Sequence, residues 1–378
     1  MPPRSFFSRS RDPMTILQNR WYNELVGGLR LSSAMFQIFE PSPPIAPSDS
    51  GLWAYQNLLP PASLTFLNPL SGRDRFFDVY ASVARQMLFP ASSFEQEIGA
   101  ENYQAWSAYV TQLSPTPAQN QLPALFRQWA MLKAPSVVLQ GVSALARMGL
   151  VSAAQRALLP CGGSNAKPAD FVGTYAELCA TLGQASGMSL WFDSSTSSDD
   201  VSNTWTGGEN AGLDGLWAGS GTTSRLSRRF AGGRVTVSAA FKAFAVWTST
   251  PGSWYNSSLL HAAFVSRTTP PWPENADPRW EEVFGPDGTM QRFLASLVVV
   301  DGMDVTVTSH ASYSQADQQI IRNHASKGLW PFYVPTNGPV VTNEVTIDRA
   351  GGIKIITVTA PGNPLVIGAN VLGIAKYA

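Results

Sequence analysis

The chain has 378 residues, 44% of them apolar, enough to bury one large core or two ordinary ones. Only 14% are charged, and 26 basic residues balance 26 acidic ones, so no global field draws the protein to nucleic acid or to an acidic membrane. This composition excludes a disordered chain, and its charge-poor surface opposes self-association weakly, which leaves homo-oligomers and larger assemblies open.

Residues 1–13 read as a flexible basic arm, with Arg4, Arg9 and Arg11 against a single Asp12, and it is the one stretch with any nucleic-acid character. The arm holds no apolar core of the secretory kind, so a signal peptide is not expected. Ile16, Leu17, Trp21 and Leu25 then recur at helical spacing, weakened where Gly27-Gly28 follows. Glu40 to Gly51, with four prolines, reads as a loop.

Helical signals dominate to about residue 183. Phe76, Tyr80, Val83 and Met87 share one face of a helix that Pro90 stops. Ser92 or Ser93 with Glu95 or Gln96 forms a potential capping box for the next helix, which carries Tyr103, Trp106, Val110 and Leu113. Leu122 to Lys133 and Pro135 to Met148 predict a helix pair, the second opened by Pro135 and closed by Gly149. The longest apolar run, Val137 to Leu159, is interrupted by Gln140, Arg147, Gln155 and Arg156, so no transmembrane helix is expected. Phe171, Tyr175, Leu178 and Leu182 mark a last helical stripe.

Near Gly183 the texture changes to Ser, Thr and Gly with β-branched runs. Met188 to Asp193 predicts a short strand, Ser194 to Gly233 a long loop, and Arg234 to Thr248 a long strand with Val235, Val237, Ala239 and Phe241 on one face. Leu294 to Ser309 is apolar on both faces at Leu297–Val300. Asp301-Gly302 follows with the residues of a tight turn, so the stretch predicts a hairpin. Ser314 can cap a short helix, Asn343 to Thr359 predicts a second hairpin, and Leu365 to Leu372 the last strand. The expected fold is α+β: a mainly helical region, 14–183, packed on or linked to a mainly antiparallel, β-rich region, 184–378, with long Gly, Ser and Pro loops.

Motifs that would fix a chemistry are missing. The three histidines, His261, His310 and His324, have no zinc-ligand spacing, and G-x-S-x-G and the P-loop are absent. Gly219–Ser224 departs from a dinucleotide fingerprint at its last position. Asp193, Asp199 and Asp200 could present oxygens to calcium, although their spacing matches no EF-hand. Glu281 and Glu282 are adjacent and so point apart. Cys161 and Cys179 cannot make a disulfide scaffold, and Asn256-Ser257-Ser258 is a glycosylation sequon. No metal or cofactor is expected.

The positive signal is aromatic residues beside Gly, Pro and Ser: Trp254, Tyr255, Trp272 and above all Trp330, Phe332 and Tyr333. Exposed, the 330–334 tip would insert at a lipid interface or fill a partner's pocket; folded inward, it would be a lid on the core. The expectation is a non-enzymatic binding or assembly protein, toxin-like or a structural subunit, that engages a membrane, glycan or protein surface through these loops. The rival is an enzyme with a site assembled from Asp193, Asp304, His310 or His324.

Overall fold

β5 (Arg292–Ser309) is the longest strand, and the other strands are placed by what lies along its two edges. The computed structural model describes residues 12–71, 75–162, 166–205, 214–221, 224–267, 269–336, 338–348 and 350–377; the N-terminal basic arm lies almost wholly outside them. In chain order the elements before β5 begin with α1 (Pro13–Gly28), β1 (Phe36–Glu40), α2 (Asp49–Gln56), β2 (Thr65–Leu67), α3 (Phe76–Gln86), α4 (Ala91–Ile98) and α5 (Ala100–Thr111). There follow α6 (Leu122–Lys133), α7 (Val138–Ala157), α8 (Tyr175–Gln184), β3 (Met188–Asp193), α9 (Arg225–Gly232), β4 (Val235–Thr248), α10 (Ser257–Val265) and α11 (Trp280–Phe284). After β5 come α12 (Gln315–His324), β6 (Val341–Ile347), β7 (Ile353–Thr359) and β8 (Leu365–Gly373). The fold is α+β with a mixed, mostly antiparallel sheet.

Two compact units share the chain, and each draws on both compositional regions. A sheet unit comprises Met1–Arg73, Phe171–Thr250 and Arg292–Gly373; a helical unit comprises Asp74–Asp170, Pro251–Gln291 and the C-terminal Ile374–Ala378.

In the sheet unit the expected hairpin at Asp301-Gly302 is replaced by one unbroken strand. β4 pairs with β5 in a single antiparallel register from Val235↔Ser309 to Thr248↔Ser296, straight past Asp301. The opposite edge of β5 forks: Arg292–Val300 pairs with β8, and Asp304–Ser309 pairs with β7. Asp301 sits at the fork, where its carboxylate accepts the backbone N–H groups of Gly362 (2.9 Å) and Asn363 (3.0 Å) in the β7–β8 turn. Gly302 next to it has φ +61°, and a Cβ there would come within 2.9 Å of the Lys242 side chain. The dipeptide that commonly turns a hairpin here divides the neighbours of one strand, because thirteen long-range β4 pairings outweigh a local preference.

Side chains follow from the fork. Leu297, Val298, Val299 and Val300 are all buried, as a strand covered on both faces requires. Beyond the fork the strands alternate. Val305 and Val307 join Val237, Ala239, Phe241, Leu190, Phe192, Ile353 and Ile355 in the core, while Asp304, Ala240, Ser238, Trp191 and Lys354 face water. α1 lays Met14, Leu17, Trp21, Tyr22 and Leu25 on the inner face, and α9 and the 329–334 segment pack beside it. α8, capped by Thr174 with Glu177 returning to the Thr174 N–H, adds Leu178 and Leu182 to the same core.

The helical unit has a separate cluster of Phe94, Ile98, Trp106, Phe126, Trp129, Ala130, Ala144 and Leu145 from α4, α5, α6 and α7. Gly141 lets α7 approach α6 closely, since a Cβ there would collide with the Phe126 ring at 2.1 Å. Three local expectations are corrected. α4 starts at Ala91 with Pro90 at the cap position and no side-chain cap, so Ser92 and Ser93 are not the capping residues; Gly99, at φ +83°, separates α4 from α5. α7 continues through Gly149 to Ala157, because its flanking residues Leu145, Val151 and Ala154 remain buried on both sides of the glycine. The expected long loop before β4 contains α9, capped by Ser224 through the Ser227 N–H.

A β-branched residue at 302 would be forced into the left-handed region at a cost of about 1–3 kcal/mol. Gly302→Val should therefore lower the chemical-denaturation midpoint, while Gly302→Asn, which tolerates that backbone better, should lower it less.

Candidate functional surfaces

The 330–334 segment is core, the inward-folded of the two alternatives, so Trp330, Phe332 and Tyr333 are not an exposed binding tip. Trp330 and Tyr333 are fully buried, and Phe332 and Val334 nearly so. The Trp330 ring lies 5.7 Å from Trp21 and from Phe230, and Phe332 lies 5.7 Å from Trp21 and 6.0 Å from Phe241. Burial is tolerable because every polar tip is met: Trp330 Nε1 donates to Gln18 Oε1 (2.8 Å), and the Tyr333 hydroxyl donates to the Gly215 carbonyl (2.6 Å). The tight path rests on Gly328 at φ +89°, where a Cβ would strike the Tyr333 backbone at 2.3 Å. Glycine and proline around an aromatic run mark an irregular path, and that path here crosses the inner face of the sheet rather than leaving it.

Gln18 connects this segment to a buried carboxyl that no sequence signal marked. Its Nε2 donates to Oε1 of Glu40, whose other oxygen is buried with no hydrogen-bond partner. Burial, with the Asp214 charge adding to it, raises the Glu40 pKa well above the ordinary carboxylate range. Burial also pushes up the Tyr333 phenol, with Glu40 and Asp214 contributing.

In the helical unit Trp254 and Tyr255 are likewise structural. Trp254 is buried against Phe76 (5.6 Å), Phe77 (5.1 Å) and Tyr80 (5.7 Å), and its Nε1 donates to the Asp170 carbonyl at 2.7 Å. Tyr255 is half-buried, its ring 5.1 Å from Tyr80. Asn256, the sequon asparagine, accepts the Leu259 N–H as the cap of α10. Trp272 borders a cleft of about 590 Å³ that it shares with Leu88, Pro90, Pro270, Trp280 and Arg267. Even there Trp272 is 7% exposed, its Nε1 donates to the Ala263 carbonyl, and Trp280 lies under Arg267 on one side and near-parallel to Phe264. Neither indole offers a free face for stacking a sugar or a base.

Of the residues of the enzymatic alternative, Asp193 and His324 are engaged by neighbours, and Asp304 and His310 are exposed. Asp193 is fixed by Arg234 at 2.5 Å and by the Ser195 N–H, which hold its pKa well below the usual carboxylate value. That pairing also removes it from the calcium reading, and among the described residues no group of three His, Cys, Asp or Glu side chains could hold a metal ion. Asp304 stands on the wet sheet face between Ala240 and Val358, and His324 stacks on Trp217 at 4.5 Å. Glu281 and Glu282 pair separately with Arg267 and Arg279, both at 3.0 Å. Cys161 and Cys179 are free thiols in different units.

What the sequence reading did not single out is the turn between α6 and α7. Leu132 is 83% exposed, Leu139 79% and Met131 65%, beside exposed Lys133, Pro135 and Ser136. Met131 and Leu132 lie in the last turn of α6 and Leu139 in the first turn of α7. Scattered apolar residues are normal on a surface, but three large exposed ones flanking a single inter-helix connection are a concentration. Behind it the helical run Pro135–Cys161 has a most apolar window of mean hydropathy 1.5, of which 28% is buried. Among the described residues it alone is long and apolar enough to cross a membrane, by length and composition. Two of the polar residues within it are engaged inside the helical unit: Arg147 pairs with Glu97, and Gln155 donates to the carbonyls of Ala84 and Met87. Strict periodicity had assigned both helices a buried stripe, and the exposed leucines fall at the helix ends, outside that stripe.

No family model, curated protein or solved structure matches the chain.

Two outcomes follow for the interior. Trp330→Ala should cost about 3–5 kcal/mol and be read as a lowered denaturation midpoint. Glu40 carries a raised pKa in the folded state, so its contribution to stability is fully present below the unfolded pKa and is lost as pH rises through the folded one. Glu40→Gln should therefore flatten the loss of stability on going from acid to neutral pH, measured as denaturation midpoints across that range.

Proposed function

We propose that the protein is a non-enzymatic binding protein that docks on a lipid surface through the α6–α7 turn of its helical unit. The observation that carries this reading is the exposure of Met131, Leu132 and Leu139 within nine residues of chain, the two leucines being the most exposed of the described large apolar side chains, whereas the other exposed ones, Leu159 and Trp191 among them, are scattered along the chain. Fully burying a leucine is worth roughly 1.5–3 kcal/mol, so two leucines and a methionine supply a weak, reversible anchor. The helices behind them are held rigidly by the Phe126, Trp129 and Leu145 cluster, so the tip is presented without an ordering cost. The α7 residues Gly141, Ala144, Leu145, Val151 and Ala154 are committed to the helical unit's interior, which favours lying on a bilayer over crossing it.

Flotation with lipid vesicles tests the reading. The protein should float with vesicles, and Leu132→Ser with Leu139→Ser should weaken partitioning on the order of a hundredfold. Because both side chains are exposed, thermal melting should be unchanged; flotation that survives the double substitution would remove the tip from the function.

A further inference from the structure

The charges around that tip are one-sided although the chain as a whole is neutral. Between Glu101 and Asp170 the sequence holds no aspartate or glutamate, but it holds Arg127, Lys133, Arg147, Arg156 and Lys167. The remainder of the chain carries the compensating acidic excess, so the neutral total conceals a basic segment. The segment contains α6, α7 and the turn with the exposed leucines.

Not all five cations are available. Arg147 is taken by Glu97 of α4 and lies 4.9 Å over the Phe89 ring. Arg127, Lys133, Arg156 and Lys167 are exposed. Arg127 and Met131 are one helical turn apart on α6, and Lys133 follows Leu132 directly. An exposed basic side chain thus stands on the same helical stripe as one apolar anchor and next to another. α4, which packs on α7, carries Glu95 and Glu97, and Glu97 is already paired with Arg147.

Resting on the docking reading above, we propose that the α6–α7 turn selects anionic lipid bilayers, with Arg127 and Lys133 meeting lipid phosphates and carboxylates while Leu132, Leu139 and Met131 enter the acyl boundary. A zwitterionic or neutral surface would draw on the leucines alone and leave the absence of acids without consequence. An anionic bilayer uses both features, because each basic residue near it adds attraction that falls off within a Debye length.

The test compares vesicles of phosphatidylcholine alone with vesicles that also contain phosphatidylserine, using the full chain. Binding should be stronger to the phosphatidylserine vesicles and should fall as salt is raised. Arg127→Glu with Lys133→Glu should abolish that preference, each reversal costing at least about fivefold. Lys354→Glu, an exposed change on β7 of the sheet unit, should leave the preference intact. Equal binding to both vesicles, insensitive to salt and to the reversals, would overturn anionic selection while leaving apolar docking in place. A comparable loss from Lys354→Glu would assign the effect to net charge and overturn it too. Failure to bind either vesicle would remove both readings.

Discussion

One constraint orders the sheet unit: β5 must be paired along both edges for its whole length while its first half is covered on both faces. A single partner, β4, satisfies one edge in unbroken register. No single strand satisfies the other, so β8 takes the doubly buried half and β7 the half with one wet face. The junction needs a residue that can adopt φ +61° and a side chain that can accept the N–H groups of the turn between β7 and β8. Gly302 and Asp301 are those residues. Two bulges in the β5–β8 pairing, at Leu294/Ser296 and Val298/Val299, absorb the remaining mismatch before the fork.

The inner face of that sheet then sets the fate of the aromatic residues. A core bounded by Phe192, Phe230 and Phe241 and by Trp21 from α1 leaves a space that the irregular 329–334 segment fills. Filling it with backbone that is neither helix nor strand requires partners for the polar groups, and these come from Leu216, Gly215 and Gln18. Gln18 is committed twice, to Trp330 and to Glu40, and this couples the aromatic segment to a carboxyl whose pKa burial raises. A second oxygen of Glu40 without a partner is the cost left standing in that arrangement.

How much of this was legible depends on the range of the interaction that decides each feature. Elements set by local chemistry were readable: the alternation of β4, the β6–β7 hairpin, the Ser314 cap of α12 and the Thr15–Leu25 periodicity all appear in place. Features set by distant residues were not. Asp301-Gly302 has the composition of a turn, and only its long-range partners make it a fork. Gly149 has the composition of a stop, and only packing against the rest of the helical unit carries α7 past it. α9 was hidden because Ser224 follows a glycine-rich stretch and the helix is only eight residues long. The same limit governs function. Trp330 and Leu132 are both large apolar residues beside helix-breaking ones, and nothing local separates the one that is buried from the one that is 83% exposed.

Exposure alone would leave Leu132, Leu139 and Met131 ambiguous between lipid and protein, since a leucine contributes similar apolar area to either. Charge distinguishes them, and it had to be counted by segment. A chain with 26 acids spread evenly through 378 residues would place several between Asn102 and Ala169, yet the stretch has none. Structural demands do not explain the gap: exposed positions such as Gln128, Ser136, Gln140 and Ser143 on α6, α7 and the turn between them would accept a glutamate at no packing cost. They are filled by neutral residues instead, so the basic residues around them are left uncompensated. A surface that keeps its apolar anchors exposed and its cations unneutralised meets, at an anionic bilayer, an environment in which both features lower the free energy together.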